Sequence, residues 1–163
     1  MGTRSGARSV EGSPVASAFV LQLARSVYLD LVAHLYDGLP DEGCGLLGGR
    51  PDHGADPRVT GAAEATVFYR SVNVAASSRV YTIDPKTHLR ADRDAEDRGL
   101  EIIGVVHSHT HTDAYPSPTD VAQAPDPTWH YVIVSFRTGA PALRSYRLRD
   151  GEIEEEPVLL VDG

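Results

Sequence analysis

Short apolar runs of four to eight residues recur along this 163-residue chain, several closed by Gly, Pro or Asp, with helix signals between them. Ala18 to Leu23 reads as a first strand. Ser26 reads as an N-cap, and Tyr28, Leu31, Val32 and Leu35 follow at helical spacing until Gly38-Leu39-Pro40 ends the stripe. Gly43 to Gly49 reads as a buried strand whose small residues let backbones approach closely, 51–57 as a loop, and Arg58 to Val67 and Val80 to Ile83 as further strands. Asp84-Pro85 is a carboxylate N-cap with Pro at the first helical position, and the helix it opens stops near Arg98 at Gly99. Glu101 to Val106 and His130 to Phe136 read as strands, Ser117-Pro118 as a short helix start. Leu143 to Leu148 and Ile153 to Leu160 read as a hairpin turning at Asp150-Gly151. Helices set between strands, closed by an antiparallel pair, predict an α/β fold with a mixed sheet flanked by helices rather than a doubly wound parallel sheet.

The length fits one domain, expected over 17–163, with 1–16 a disordered tail rich in Gly, Ser and Arg. The net charge of −8 argues against a nucleic-acid partner, because phosphate binding needs a basic surplus. No apolar run approaches 18 residues, so no membrane span is expected. The single cysteine, Cys44, excludes an intramolecular disulfide framework and any Cys-rich zinc site, and a reducing cytoplasm is the expected compartment.

The chemistry concentrates in the segment from His107 to Asp120, which holds three of the seven histidines within five residues. His107 and His109 lie two apart at the end of a strand, so both imidazoles face one side and can reach one ion. His111 continues the alternation, and geometry alone does not choose between the three. Two imidazoles and a carboxylate form a common catalytic zinc set with water in the open position, and Asp120 can supply the carboxylate if the chain folds back through Ser117-Pro118. The same Ser117-to-Asp120 stretch is also a plain helix start, with Ser as the cap and an acid in the first turn. The two readings are compatible, since a capped helix start mounts a ligand rigidly.

His107-Ser108-His109, seven residues, Ser117, two residues and Asp120, with Glu42 upstream before the glycine-rich strand, resemble the JAMM (MPN+) metalloprotease signature over roughly residues 18–160. The resemblance implies a cytidine-deaminase-like fold, a Zn²⁺ cofactor held by His107, His109 and Asp120, and hydrolysis after the C-terminal Gly-Gly of ubiquitin-like proteins. Pro40 to Gly45, Ala114 to Ser117, His130 to Ser135 and Leu143 to Arg147 are similar to the actinobacterial branch that frees cysteine from its adduct with the sulfur carrier CysO. The implied partner is then a ubiquitin-like sulfur-carrier protein. Related enzymes of the family trim residues beyond a carrier's Gly-Gly. The loop His111-Thr112-Asp113 departs from that branch and leaves the substrate open.

Within this resemblance Glu42 takes a proton from water and passes it to the leaving amine, and Ser117 hydrogen-bonds the developing oxyanion. The capping role of Ser117 competes for the same hydroxyl. Cys44 reads as a buried packing thiol and Ser108 as structural, while Trp129 and Tyr131 read as core residues. Asn73 and Arg79 are candidate substrate contacts that also fit a turn and a solvated cation. His34, His53, His88 and His130 call for no functional explanation. A non-catalytic scaffold of the related MPN type lacks metal ligands, and a zinc deaminase needs a Pro-Cys-x-x-Cys pair that one cysteine cannot supply.

Overall fold

The computed structural model describes residues 19–52 and 61–163. Its elements are β1 (Val20–Ala24), α1 (Arg25–Asp37), β2 (Cys44–Arg50), β3 (Ala62–Ser71), α2 (Pro85–Asp97), β4 (Glu101–His109), α3 (Pro118–Ala122), β5 (His130–Ser135), β6 (Ala142–Arg149), β7 (Glu152–Glu156) and β8 (Val158–Val161). The tail and His53 lie outside the described residues, as do the starts expected for the first strand at Ala18 and the third at Arg58.

The eight strands form one sheet in the order β7-β6-β5-β4-β2-β3-β1-β8. It is mixed: β1 runs parallel to β3 and β8, and β4 parallel to β5, while the remaining pairs are antiparallel. The expected fold class is therefore observed, with helices on both faces. On one face Val27, Leu31 and Leu35 of α1 pack against Leu21, Leu47, Val106 and Val132. On the other, Ala91 of α2 joins Leu46, Val105, Tyr131 and Ile133. Thr87, Ala91 and Ala95 recur at four-residue spacing, which gives the otherwise polar α2 its one buried stripe.

Four sequence expectations are corrected. Ser26 is not the N-cap: β1 passes directly into α1, so Ala24 takes that position without a side-chain cap. The third strand runs past Val67 to Ser71, because Phe68 and Tyr69 each pack into the cluster on their own face. Val80 to Ile83 is not a strand. Only an isolated bridge joins Asn73 to Ile83, and Val80, Tyr81 and Ile83 are apolar because they line a cavity. The expected strand from Ile153 to Leu160 is two strands on opposite edges of the sheet. Pro157 between them offers no N–H to continue the ladder, and its carbonyl accepts from Leu21 N at 3.0 Å on the far edge. A single residue thus spans from one edge to the other, so the sheet must curl.

His130, for which the sequence called for no functional explanation, joins a buried ion cluster. Its Nδ1 lies 2.5 Å from Glu156 Oε1, and Arg147 donates to Asp52 Oδ2 at 2.9 Å, all buried. Ser145 donates to Glu156 Oε1 at 2.7 Å. The cluster ties β5, β6 and β7 to the residue pair following β2.

Glycines in β2 set how closely the central strands pack. A Cβ on Gly49 would stand 1.8 Å from the Glu64 carbonyl oxygen, at the register shift between β2 and β3. Gly49→Ala is expected to cost about 1–3 kcal/mol, because backbone rather than a flexible side chain has to move. Urea denaturation of the two proteins side by side measures this, and an unchanged midpoint would refute it.

Candidate metal centre

β4 delivers the first two candidate ligands. His107 pairs with Cys44 of β2 and with Ile133 of β5, so its backbone is fixed from both sides. His109 follows on the same face. Ser108 between them points away and clamps the neighbouring strand: its hydroxyl accepts from Gly43 N at 2.8 Å, and its own N–H donates to Gly43 O at 3.0 Å. That double contact holds the residue next to Glu42, as befits the structural role expected for Ser108.

Asp120 arrives from α3. The Ser117 hydroxyl oxygen accepts from Asp120 N at 3.0 Å, and Asp120 Oδ2 accepts from Ser117 N at 2.8 Å, a reciprocal capping box. The capping bond uses a lone pair on Ser117 and leaves its hydrogen available to donate. Helix capping and oxyanion binding therefore draw on different ends of one hydroxyl.

The three groups converge. His107 Nε2 and His109 Nε2 lie 3.1 Å apart, and each is 3.3 Å from Asp120 Oδ2. All three ligand atoms lie within 4.8 Å of one another, and His107 and His109 are buried. His109 Nδ1 faces the Asp113 carbonyl at 2.8 Å. A carbonyl only accepts, so Nδ1 carries a hydrogen and a neutral His109 turns the Nε2 lone pair toward the cluster.

Burial and mutual hydrogen bonding shift all three groups. Burial works to lower the His109 pKa, but its hydrogen bonds to Asp120 and Asp113 raise it overall. Burial is likewise the largest influence on Asp120 and opposes its charge, yet the His107 and His109 rings hold its carboxyl well below the usual range. His107, fully enclosed, is lowered by burial and favours the neutral form. Two imidazole lone pairs and one carboxylate aimed at a common point fit a divalent cation.

Glu42 stands across the cleft, 4% exposed, and its Oε2 is buried without a hydrogen-bond partner among the described residues. Burial pushes its carboxyl up to about 7; the His109 charge opposes that rise and the Asp120 charge adds to it. Glu42, His109 and Ser117 line one cleft of about 400 Å³, together with Ser78, Arg79 and His111. His111 is exposed and stands outside the converging group. Cys44 is a buried free thiol, pushed up to about 11 by burial.

Two features lay beyond sequence reasoning. The Tyr81 ring stacks on His107 with centroids 4.3 Å apart and planes 18° apart. Asn73 is a hub: its side-chain amide donates to the carbonyls of Glu42 and Val80 and accepts from Ala75 N and Thr82 N, which fixes the 73–82 loop beside Glu42. Only the turn-forming character of Asn73 hinted at this. Tyr131 is core as expected, whereas Trp129 is half-buried and lines a cavity of about 230 Å³ behind Asp120.

Two imidazoles and one carboxylate beside a buried acid, reached through an open cleft, describe a centre of the metallohydrolase class. The chain belongs to the JAB/MPN family: the domain described as prokaryotic homologs of the JAB domain matches residues 24–149. That family is metal-dependent, and the His107-His109-Asp120 group is able to bind a metal. The chain is 37% identical over 151 residues to the CysO-cysteine peptidase of Mycobacterium tuberculosis, covering 90% of this chain and 94% of the relative. It is 29% identical to a probable TtuB-protein conjugate cleaving protease of Thermus thermophilus, covering 82% and 79%. With the desampylase of Haloferax volcanii it shares 32% identity, covering 71% and 80%. The solution structure of a Desulfitobacterium hafniense protein superposes with a TM-score of 0.76 at 30% identity, covering 88% of this chain and 94% of that one.

Proposed function

We propose that this chain is a zinc-dependent peptidase that cleaves the amide bond after the C-terminal Gly-Gly of a ubiquitin-like sulfur-carrier protein, releasing cysteine from a carrier–cysteine adduct. The observation that carries this reading is the convergence of His107, His109 and Asp120 opposite a buried, unpartnered Glu42 in one cleft. The near full-length similarity to the CysO-cysteine peptidase supports the choice of substrate. The conjugate-cleaving relatives support the wider substrate class, adducts of ubiquitin-like carriers.

His107, His109 and Asp120 would hold the zinc, which supplies Lewis acidity and lowers the pKa of water toward about 7. Glu42 accepts the proton of the attacking water. The water oxygen bonds to the glycine carbonyl carbon, and the Ser117 hydroxyl donates to the oxygen on which charge develops. As the C–N bond breaks, Glu42 returns the proton to the leaving amine. The one thiol, buried at Cys44, suits a reducing cytoplasm. Among the described residues no helix is long and apolar enough to cross a membrane.

Intact mass tests the reading. A CysO-type carrier extended by cysteine after Gly-Gly is expected to lose one cysteine on incubation with the zinc-loaded enzyme. Loss of several residues from a longer extension, with the single-cysteine adduct untouched, would favour trimming of a carrier precursor instead. Purified protein that folds without binding zinc would overturn the enzyme reading altogether.

A further inference from the structure

Arg79 is the one arginine lining the cleft that holds Glu42, His109 and Ser117. It is exposed, and its side chain makes no ion pair or hydrogen bond with the described residues. Seven other arginines (Arg25, Arg50, Arg70, Arg98, Arg137, Arg144 and Arg147) each pair with a carboxylate. In a protein of net charge −8, acids are plentiful, yet among the described residues none forms an ion pair with Arg79.

Its backbone is fixed in place. Glu42 N donates to Ser77 O at 2.8 Å, Arg79 N donates to Ser77 Oγ at 3.1 Å, and Asn73 donates to Glu42 O at 2.9 Å and Val80 O at 3.0 Å. Arg79 therefore rises from the loop bonded to Glu42, while Ser117 enters the cleft from α3. Glu42 is the group that protonates the leaving amine, and Arg79 lines the same cleft from the loop bonded to Glu42. In a substrate ending in one extra amino acid, the free α-carboxylate is bonded to the carbon that carries that amine. An amide to a lysine side chain has no carboxylate there. Guanidinium holds carboxylate through paired, charge-assisted hydrogen bonds.

Resting on the peptidase reading above, we propose that Arg79 is a specificity-determining residue that binds the free α-carboxylate of the leaving amino acid. It would select carriers ending in a single added residue over carriers joined to lysine side chains.

The test uses a CysO-type carrier ending in Gly-Gly-Cys, made once with a free C-terminal carboxylate and once as the carboxamide. Wild-type enzyme is expected to cleave the carboxylate with a kcat/KM at least about tenfold higher, mainly through KM. In Arg79→Ala the two rates should converge through a fall on the carboxylate, and Arg79→Lys should recover part of the difference. The Glu42→Gln enzyme, which should bind without turning over, is expected to show a similar preference in Kd by calorimetry. Equal wild-type rates on the two adducts would overturn the role of Arg79 and leave the peptidase reading standing. So would a fall by one common factor on both adducts in Arg79→Ala. Cleavage of neither adduct by wild type would overturn the carrier–cysteine reading and this inference with it.

Discussion

Glu42→Gln is expected to lower kcat by about 10³-fold while zinc content stays at the wild-type level, within the range that a positioned acid–base group contributes. Glutamine keeps the shape of the side chain but can neither accept the proton of water nor return one to the leaving amine. Glu42 stands outside the group of three converging ligand atoms, so the metal should be retained. The variant should also fold at least as well as wild type, since it removes a buried carboxyl that lacks a hydrogen-bond partner on Oε2. The pH profile gives a second reading. A base works ionised, and the Glu42 carboxyl is raised to about 7, chiefly by burial. A zinc ion alongside favours the carboxylate, so activity of the zinc-loaded enzyme is expected to fall as pH drops through a value below that one. Normal turnover in Glu42→Gln with full zinc would show that another group carries the proton.

Asp120→Asn should abolish turnover by a different route, loss of the metal. The amide oxygen can still accept from Ser117 N, so the start of α3 is preserved while the anionic ligand is removed. The thermal response separates this from simple unfolding. An ion that binds only the folded state stabilises it by about 4 kcal/mol at a thousandfold excess over Kd. For a chain of this size that amounts to roughly 10 °C in Tm. Wild type should show such a rise on zinc addition and lose it with a chelator, whereas Asp120→Asn should respond weakly or not at all. A variant that keeps stoichiometric zinc and the full Tm rise would remove Asp120 from the ligand set.

The candidate site was largely legible before any coordinates because its residues sit on local signals. A strand makes His107 and His109 share a face, and Ser117-Pro118 announces the helix start that carries Asp120. The same local logic failed where apolar residues serve something other than a sheet. Val80, Tyr81 and Ile83 have strand-like composition but line a cavity, and Tyr81 stacks on His107. It failed again at Pro157, where one apolar stretch becomes two strands because the sheet curls and brings its far edge within reach.

The sequence by itself determined the mixed α/β class, a histidine pair on one strand face and the capped carboxylate, because strand alternation and helix capping act over a few residues; the upstream acid came from the family resemblance. Only the tertiary structure decided how Glu42 faces that group across the distance between β2 and α3, that Ser108 and Asn73 hold it there, that His130 joins a buried ion cluster, and that Arg79 lines the cleft. Each of these depends on which strands become neighbours and on how tightly glycines let them approach. That outcome is set by burial summed over the whole chain, and no local spacing records it.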